Sequence, residues 1–288
     1  MKWLRAAALA WLAAGCSETP RPPGPLASAL LALAADAGDD PQAVADAWSE
    51  LRRLAERAAQ RHRRMKGDPV ADLDATIFDD AGFTREIADD DPRFFLLPSV
   101  ISGRRGTCVG LSALYLALGE RLGLSLDGML LPGHFFVRTR ETPPRNVELL
   151  RRGEIMPDSW YRAKYGAEDG GWPAAAAGGT GLASYFRPVT ISELVGVHWY
   201  NAGNHDRRVG KLAAAEREYE QAVAAFPTLA EAHASLGTLR QLRGALSEAE
   251  ASYREAARLQ PDLPGLDRNR MLLDQERRPD GALPEEAR

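Results

Sequence analysis

The sequence predicts an α+β domain followed by an all-α repeat array. Two observations carry this prediction. An apolar helical pattern begins directly after Cys108 and is followed by strand-like runs, and the last third of the chain matches itself at a spacing of 34 residues. The 288 residues suffice for about two small domains, each with its own core. The formal net charge of -4 gives no reason to expect nucleic acid as a partner.

The chain begins with a segment typical of an export signal. A basic start precedes a short apolar run, Ala6 to Ala14, which is too short to span a bilayer. The run ends at Ala13-Ala14-Gly15-Cys16, which resembles the box that lipoprotein signal peptidase cuts before an acylated cysteine. We therefore expect residues 1–15 to be a lipoprotein signal peptide and Cys16 to be lipidated. Simple secretion, with Cys16 unmodified or removed, is the alternative.

The residues after Cys16 indicate how such a protein would sit at the membrane. Residues 16–25 are rich in proline and would form a stiff tether. By the familiar enterobacterial sorting rule, Ser17 after the acylated cysteine indicates the outer membrane. Acyl chains contribute roughly 0.8 kcal/mol per buried methylene, so several of them give a stable anchor. We expect a lipoprotein of the cell envelope that faces the periplasm, with the membrane as a partner through its lipid anchor.

Cys108 is the one cysteine that remains once Cys16 is assigned to the anchor. It therefore has no partner for an internal disulfide in an exported protein. A free cysteine is often a buried and inert thiol. It is also the residue type from which a nucleophile is made, and the surrounding sequence has to decide between the two.

The middle of the chain has the pattern of alternating helices and strands. A helical pattern runs from Val70 to Phe83, and a second one, strongly apolar, runs from Val109 to Leu122. The run Leu130 to Arg138 predicts a strand with His134 near its start. Another strand is predicted at Asn146 to Leu150.

Two motifs from this region resemble a known family. Arg104-Arg105-Gly106-Thr107-Cys108 with its following Leu-Ser-Ala-Leu-Tyr-Leu helix, and Pro132-Gly133-His134-Phe135-Phe136-Val137-Arg138, are similar to the bacterial SirB-type branch of the transglutaminase-like superfamily. The resemblance covers residues 68–150 and extends more loosely to Arg187. It implies a papain-like domain at residues 26–190, with additional N-terminal helices and with the cysteine at the N-terminus of a helix that packs on an antiparallel sheet.

The resemblance also implies a catalytic site. Cys108 stands at the predicted start of a helix, where the helix dipole favours a thiolate. The family places a histidine on a strand against this helix, which would put His134 beside Cys108 as the base. The third member lies on the next strand, where Asp is usual. This sequence offers Glu148, which we favour, and Asn146, and the two share one face of the strand. No metal-ligand cluster or cofactor motif is present, so no cofactor and no metal are expected.

The C-terminal third is predicted to form helical repeats. Gly196–Leu229 aligns with Ala230–Leu263, and small, aromatic and proline positions match at a spacing of 34 residues: Gly203 with Gly237, Gly210 with Gly244, Ala215 with Ala249, Tyr219 with Tyr253, Ala222 with Ala256, and Pro227 with Pro261. These are the positions of the tetratricopeptide repeat. We expect two repeats at residues 191–263. Residues 264–288 are expected to form a capping helix, Leu266 to Glu276, and a disordered tail.

These elements leave two functional hypotheses. In the first, the protein is an enzyme in which Cys108 forms a thioester and water or an amine accepts the acyl group, giving a peptidase or amidase, or a transferase. In the second, the thiol fold is silent and the protein is an adaptor. In both, the repeats bind a protein or peptide partner. The role of Arg104 and Arg105 also stays open, between binding an acidic substrate group and holding the loop before the helix.

Overall fold

The computed structural model describes residues 22–87, 91–165 and 185–277, and these form two compact units. The first unit contains the described residues up to 165 together with residues 186–195, and the second contains residues 185 and 196–277. The expected signal peptide at 1–15, Cys16, most of the tether and the tail after Arg277 lie outside the described residues. Within the described ranges, no helix combines the length and apolar character needed to cross a bilayer.

The first unit combines seven described helices, the last of which also enters the second unit, with one antiparallel sheet. The helices are α1 (Pro25–Asp36), α2 (Pro41–Met65), α3 (Pro69–Ala75), α4 (Leu97–Gly103), α5 (Cys108–Leu122), α6 (Asp158–Tyr165) and the start of α7 (Ile191–Arg208).

The sheet of the first unit has the strand order β6-β5-β4-β3-β7, and each neighbouring pair is antiparallel. Its strands are β3 (Leu126–Leu131), β4 (His134–Thr139), β5 (Asn146–Glu148), β6 (Glu154–Met156) and β7 (Pro188–Val189), and a separate parallel pair is formed by β1 (Thr84–Arg85) and β2 (Arg105–Gly106). The predicted α+β class with an antiparallel sheet is confirmed.

Helix α5 is the central element of the first unit, and its ends follow from local chemistry. Thr107 is its N-cap and accepts a hydrogen bond from the backbone N–H of Gly110 at 3.4 Å. Gly123 ends the helix with a φ of 71°, a left-handed conformation that glycine adopts without strain. Nearly every residue between them is buried, because the helix packs against β3 and β4 as well as α2 and α4. The sheet and the helix layer therefore fix the position of Cys108, the first residue of α5.

The structure differs from the sequence prediction at three elements. The predicted strand Leu130 to Arg138 is two strands, because Gly133, with a φ of 65°, reverses the chain between β3 and β4. The predicted helix from Val70 to Phe83 is α3 followed by a π-helical turn, Thr76–Asp80, and it ends before Phe83. The strand predicted at Asn146 to Leu150 ends at Glu148, because Leu149–Arg151 form a 3-10 turn. These corrections are local, and His134 remains at the start of a strand.

The second unit consists of helices whose ends repeat along the chain. They are the rest of α7, α8 (Leu212–Ala225), α9 (Ala230–Leu242), α10 (Leu246–Leu259) and α11 (Leu266–Glu276). The bounds of α8 and α10 are offset by 34 residues at both ends, as are the C-terminal ends of α7 and α9.

Contacts within the second unit repeat at the same spacing. A Cβ on Gly203 would lie 2.6 Å from the ring of Tyr219, and a Cβ on Gly237 would lie 2.7 Å from the ring of Tyr253. Each tyrosine hydroxyl then donates to the residue after that glycine, to Asn204 in one case and Thr238 in the other. The two glycines are therefore equivalent positions of close approach between paired helices. The predicted helical character of the C-terminal region is confirmed.

Candidate active site

Cys108 occupies a fixed position at the N-terminus of α5. The capping residue Thr107 is itself held by Phe94, whose carbonyl oxygen accepts from the Thr107 N–H at 2.8 Å and from its hydroxyl at 3.2 Å. Gly110 lies so close to this segment that an added Cβ would come within 2.2 Å of the same carbonyl oxygen. The Cys108 side chain is half-buried and is a free thiol. The start of the helix directs its positive dipole end toward this sulfur.

His134 begins β4 and lies next to Cys108. Its side chain is buried, with 3% of the residue exposed. Burial by itself would lower the pKa of His134, but hydrogen bonds to Cys108 and Glu148, with the negative charges of both groups, raise the pKa to about 9. The protonated ring is therefore the favoured form at neutral pH. Such an imidazolium is the partner that a thiolate needs in order to persist in a buried site.

Glu148 ends β5 and holds the other side of the His134 ring. Its Oε2 lies 2.7 Å from Nε2 of His134, which leaves Nδ1 of the ring for Cys108. Its Oε1 accepts the backbone N–H of Leu150 at 3.0 Å. Both carboxylate oxygens thus accept hydrogen bonds, as a carboxylate in a residue that is only 1% exposed requires. The carboxylate therefore fixes the orientation of the imidazole.

Asn146 shares the strand face with Glu148 but is engaged by other residues. Its Oδ1 accepts from Nε of Arg138 at 2.6 Å, and its Nδ2 donates to Oδ1 of Asp158 at 2.7 Å and to the Met156 carbonyl at 2.9 Å. Arg138 also donates to the same Asp158 oxygen at 2.6 Å. Of the two candidates for the third position, the structure places the Glu148 carboxylate, and not the Asn146 amide, on His134.

Two tyrosines of α6 cover the histidine and its partner, and neither was predicted from the sequence. The rings of Tyr165 and His134 are stacked, with centroids 4.3 Å apart and an interplanar angle of 1°. The ring of Tyr161 stacks on Phe136 at 4.0 Å, beside His134 on the same strand face. Burial and the nearby Glu148 charge raise the pKa of both tyrosines, so both are neutral hydroxyls. The sequence signal for them was their spacing of four residues, which places both tyrosines on one face of a helix.

Arg104 and Arg105 hold the polypeptide before α5. Arg104 donates to the Ala81 carbonyl at 2.8 Å and to Glu50 at 2.9 Å. Arg105 forms a salt bridge with Glu86. Both guanidinium groups thus have structural partners, which favours the loop-holding role over the binding of an acidic substrate group.

The described residues show no metal-binding cluster, and the lining of the cavity in the first unit excludes the thiol-site residues. No cluster of three or more His, Cys, Asp or Glu side chains within the described ranges is arranged to hold a metal ion. A cavity of about 380 Å³ in the first unit has Glu120, Asp127 and Arg140 in its lining but none of the thiol-site residues. Glu120 there accepts two backbone N–H groups at the start of α1, and Asp127 is paired with Arg140. Its charged groups are therefore occupied by structural contacts.

Comparison with known proteins supports the family of the first unit. Residues 45–168 match the model of the transglutaminase-like superfamily, and this segment is a transglutaminase-like domain. No curated protein matches the chain significantly. Among solved structures, the chain is similar to a crystal structure of menin that reveals the binding site for Mixed Lineage Leukemia (MLL) protein, with a TM-score of 0.41 and 13% identity, over 89% of this chain and 70% of that chain.

Proposed function

We propose that the protein is a cysteine-dependent enzyme of acyl transfer, an amide hydrolase or a transferase that acts through a thioester. The observation that carries the proposal is the series Glu148–His134–Cys108, in which the buried carboxylate binds Nε2 of the buried imidazole and the half-buried thiol interacts with the same ring. A nucleophile, a base and an orienting group in this order are the arrangement required for nucleophilic catalysis by a thiol. The transglutaminase-like domain at residues 45–168 supports the same class.

The reaction follows from the roles of these three groups. His134 already holds the thiol proton at neutral pH, and the thiolate Sγ of Cys108 attacks the carbonyl carbon of an amide. As the C–N bond breaks, His134 gives its proton to the departing amine and the acyl group stays on sulfur as a thioester. Water or a second amine then attacks the thioester, His134 takes the proton of that nucleophile, and Cys108 leaves as a thiolate beside the protonated His134. Water gives hydrolysis, and an amine gives transamidation.

The proposal predicts a histidine-dependent thiolate at Cys108. Alkylation of the full chain with iodoacetamide, followed on the Cys108 peptide by mass spectrometry, should be fast down to about pH 6. In the His134→Ala variant it should require pH about 8.5, the range of an ordinary thiol. Because the modification is measured on the Cys108 peptide, alkylation of Cys16 does not contribute to the result. His233→Ala, which alters a half-buried histidine of the second unit, serves as the control and should match the unaltered protein.

Two results would contradict the enzyme. Alkylation that is slow below pH about 8 in the unaltered protein would show that Cys108 is an ordinary thiol. Fast alkylation that His134→Ala leaves unchanged would show that the histidine does not act on it.

The second candidate function is a silent adaptor, and the repeated contacts of the second unit favour a role in partner binding. We propose that α7–α11 form two tetratricopeptide repeats with a final capping helix and bind a protein or peptide. The 34-residue offsets of the helices and the two glycine–tyrosine contacts support this assignment. A silent adaptor predicts that Cys108→Ala restores the phenotype of a deletion strain as fully as the unaltered gene. An enzyme predicts that this variant does not restore it.

We also propose that the protein is anchored in the cell envelope, facing the periplasm, through acylation of Cys16, with the outer membrane as its site. The proposal rests on the sequence of residues 1–25, which combine an export signal, a cysteine and a proline-rich tether. Mass spectrometry of the mature N-terminal peptide should find Cys16 with its acyl chains. A mature N-terminus without acyl mass would exclude the anchor.

A further inference from the structure

Helix α6 makes two sets of contacts with the strand face that carries His134. Its last residue, Tyr165, stacks flat on the imidazole at 4.3 Å. Its first residue, Asp158, is bound by both Arg138 and Asn146, which are paired across β4 and β5. The helix is therefore attached to the sheet at one end and reaches the proposed base at the other. A stacked pair of aromatic rings favours one ring orientation over others, because sliding or tilting either ring loses contact area.

We propose that Tyr165 is a positioning residue for the Cys108–His134 site, and that the Asp158–Asn146–Arg138 cluster holds it in place. The inference rests on the proposed function, because Tyr165 acts on the thiol only through the imidazole. It also gives Asn146 a role: Asn146 does not contact the His134 ring, but it binds Asp158 and so helps to hold the helix that carries Tyr165.

Two features of the geometry support a positioning role over simple packing. The interplanar angle of 1° means that Tyr165 matches the plane of the imidazole rather than filling space at an arbitrary tilt. Glu148 holds one edge of the ring, at Nε2, and this contact alone does not prevent the imidazole from rotating about it. A ring stacked on the face of the imidazole restricts that rotation and keeps Nδ1 directed at Cys108. Tyr165 therefore restrains the plane of the imidazole, which the hydrogen bond with Glu148 at one edge leaves free to tilt.

The groups that face His134 come from each element packed against it. Among the described residues they are Cys108 from α5, Glu148 from β5, and Tyr161 and Tyr165 from α6, with Phe136 beside the ring on its own strand. Of these, only Cys108 and Glu148 exchange hydrogen bonds with the ring, and both tyrosines stay neutral because burial raises the pKa of each. The contribution of Tyr165 is thus made by its ring and not by its hydroxyl, and this distinction can be tested.

The test compares three variants of the full chain by the rate of Cys108 alkylation with iodoacetamide at pH 6.5. Tyr165→Leu should slow labelling about tenfold and move its pH profile toward that of an ordinary thiol. Tyr165→Phe keeps the ring and should stay within about twofold of the unaltered protein. Ser159→Ala, an exposed position on the same helix, is the control for changes in α6 and should have no effect.

Two further measurements keep the test decisive if Tyr165→Leu folds poorly. Asp158→Ala removes a half-exposed carboxylate at the far end of α6 and should slow labelling by about threefold, because the helix is less firmly held. In nuclear magnetic resonance spectra, the ring protons of His134 should show the upfield shift that a stacked ring produces, and Tyr165→Phe should retain it.

The outcomes separate this inference from the proposed function. If His134→Ala leaves labelling unchanged, the proposed function fails and the inference fails with it. If His134→Ala slows labelling while Tyr165→Leu and Asp158→Ala both label like the unaltered protein, the enzyme stands and the positioning role is overturned. A Tyr165→Phe variant as slow as Tyr165→Leu would assign the effect to the hydroxyl and would also overturn it.

Discussion

Replacing Glu148 with alanine is expected to destabilise the transglutaminase-like domain by about 3–5 kcal/mol at pH 7. The reason is that His134 is buried and favours the protonated form, so removal of its carboxylate leaves a charge that water does not reach. The backbone N–H of Leu150 loses its acceptor as well. Urea unfolding of the full chain, followed by far-ultraviolet circular dichroism, measures the difference in the free energy of unfolding.

The pH dependence of this effect has a definite sign. The pKa of His134 is raised from 6.5 to about 9 in the folded protein, so the folded state binds the proton more tightly than the unfolded state. The stability that the charged pair contributes is fully present below pH about 6.5 and is lost as the pH rises through about 9. The difference between the unaltered protein and Glu148→Ala should therefore shrink between pH 7 and pH 10.

Glu154 offers a matched control for this experiment. It lies opposite Glu148 across β5 and β6, and it forms a surface pair with the exposed Arg151. Glu154→Ala removes the same charge from a neighbouring position and should cost less than about 1 kcal/mol. Equal destabilisation by the two substitutions at pH 7 would show that the buried His134–Glu148 pair contributes no more to the free energy of unfolding than a surface pair does.

The sequence predicted the elements around Cys108 because several local signals agree there. Thr107 is a good helix cap, the apolar residues after it favour a buried helix, and Gly123 is the preferred residue at a helix end. The strand carrying His134 was predicted as well, but its beginning was wrong. Periodicity cannot detect a chain reversal inside a continuous apolar run, and Gly133 makes such a reversal without any polar residue.

The choice between Asn146 and Glu148 depended on residues that the strand pattern does not include. Two residues of equal parity on a strand point to the same face, so the pattern left both as candidates. In the folded chain Asn146 is occupied by Arg138 and by Asp158, which lies 12 residues further along the chain. A tertiary contact of this kind settles which side chain reaches the imidazole. The stacking of Tyr165 on His134 likewise joins residues from separate elements, so that periodicity alone did not predict it.

The second large effect is expected at Asp74, a carboxyl group that takes no part in the thiol site. Asp74 lies at the end of α3, and a Cβ on Gly153 would come within 2.3 Å of its carboxyl carbon. Burial, aided by the negative charges of Asp68 and Asp79, raises the pKa of Asp74 from 3.8 to about 7, although a hydrogen bond with Tyr115 and the charge of Arg145 act in the opposite direction. One carboxylate oxygen is buried without a hydrogen-bond partner. Ionising Asp74 therefore costs folding free energy.

Asp74→Asn is expected to stabilise the protein by up to about 4 kcal/mol above pH 7 and to have little effect near pH 4. Between these values the folded state binds the Asp74 proton and the unfolded state does not, so the stability of the unaltered protein falls as the pH rises from about 4 to about 7. The asparagine variant has no such proton to lose, which means that its advantage grows over the same interval and then stays constant. Urea unfolding at pH 4, 5.5 and 8 measures this difference.

Asp79→Asn removes an exposed charge from the adjoining turn, where it pairs with Arg152, and should show no comparable gain. A gain for Asp74→Asn that is the same at pH 4 and pH 8 would mean that the effect comes from packing around the amide, because only a buried ionisation makes the difference depend on pH.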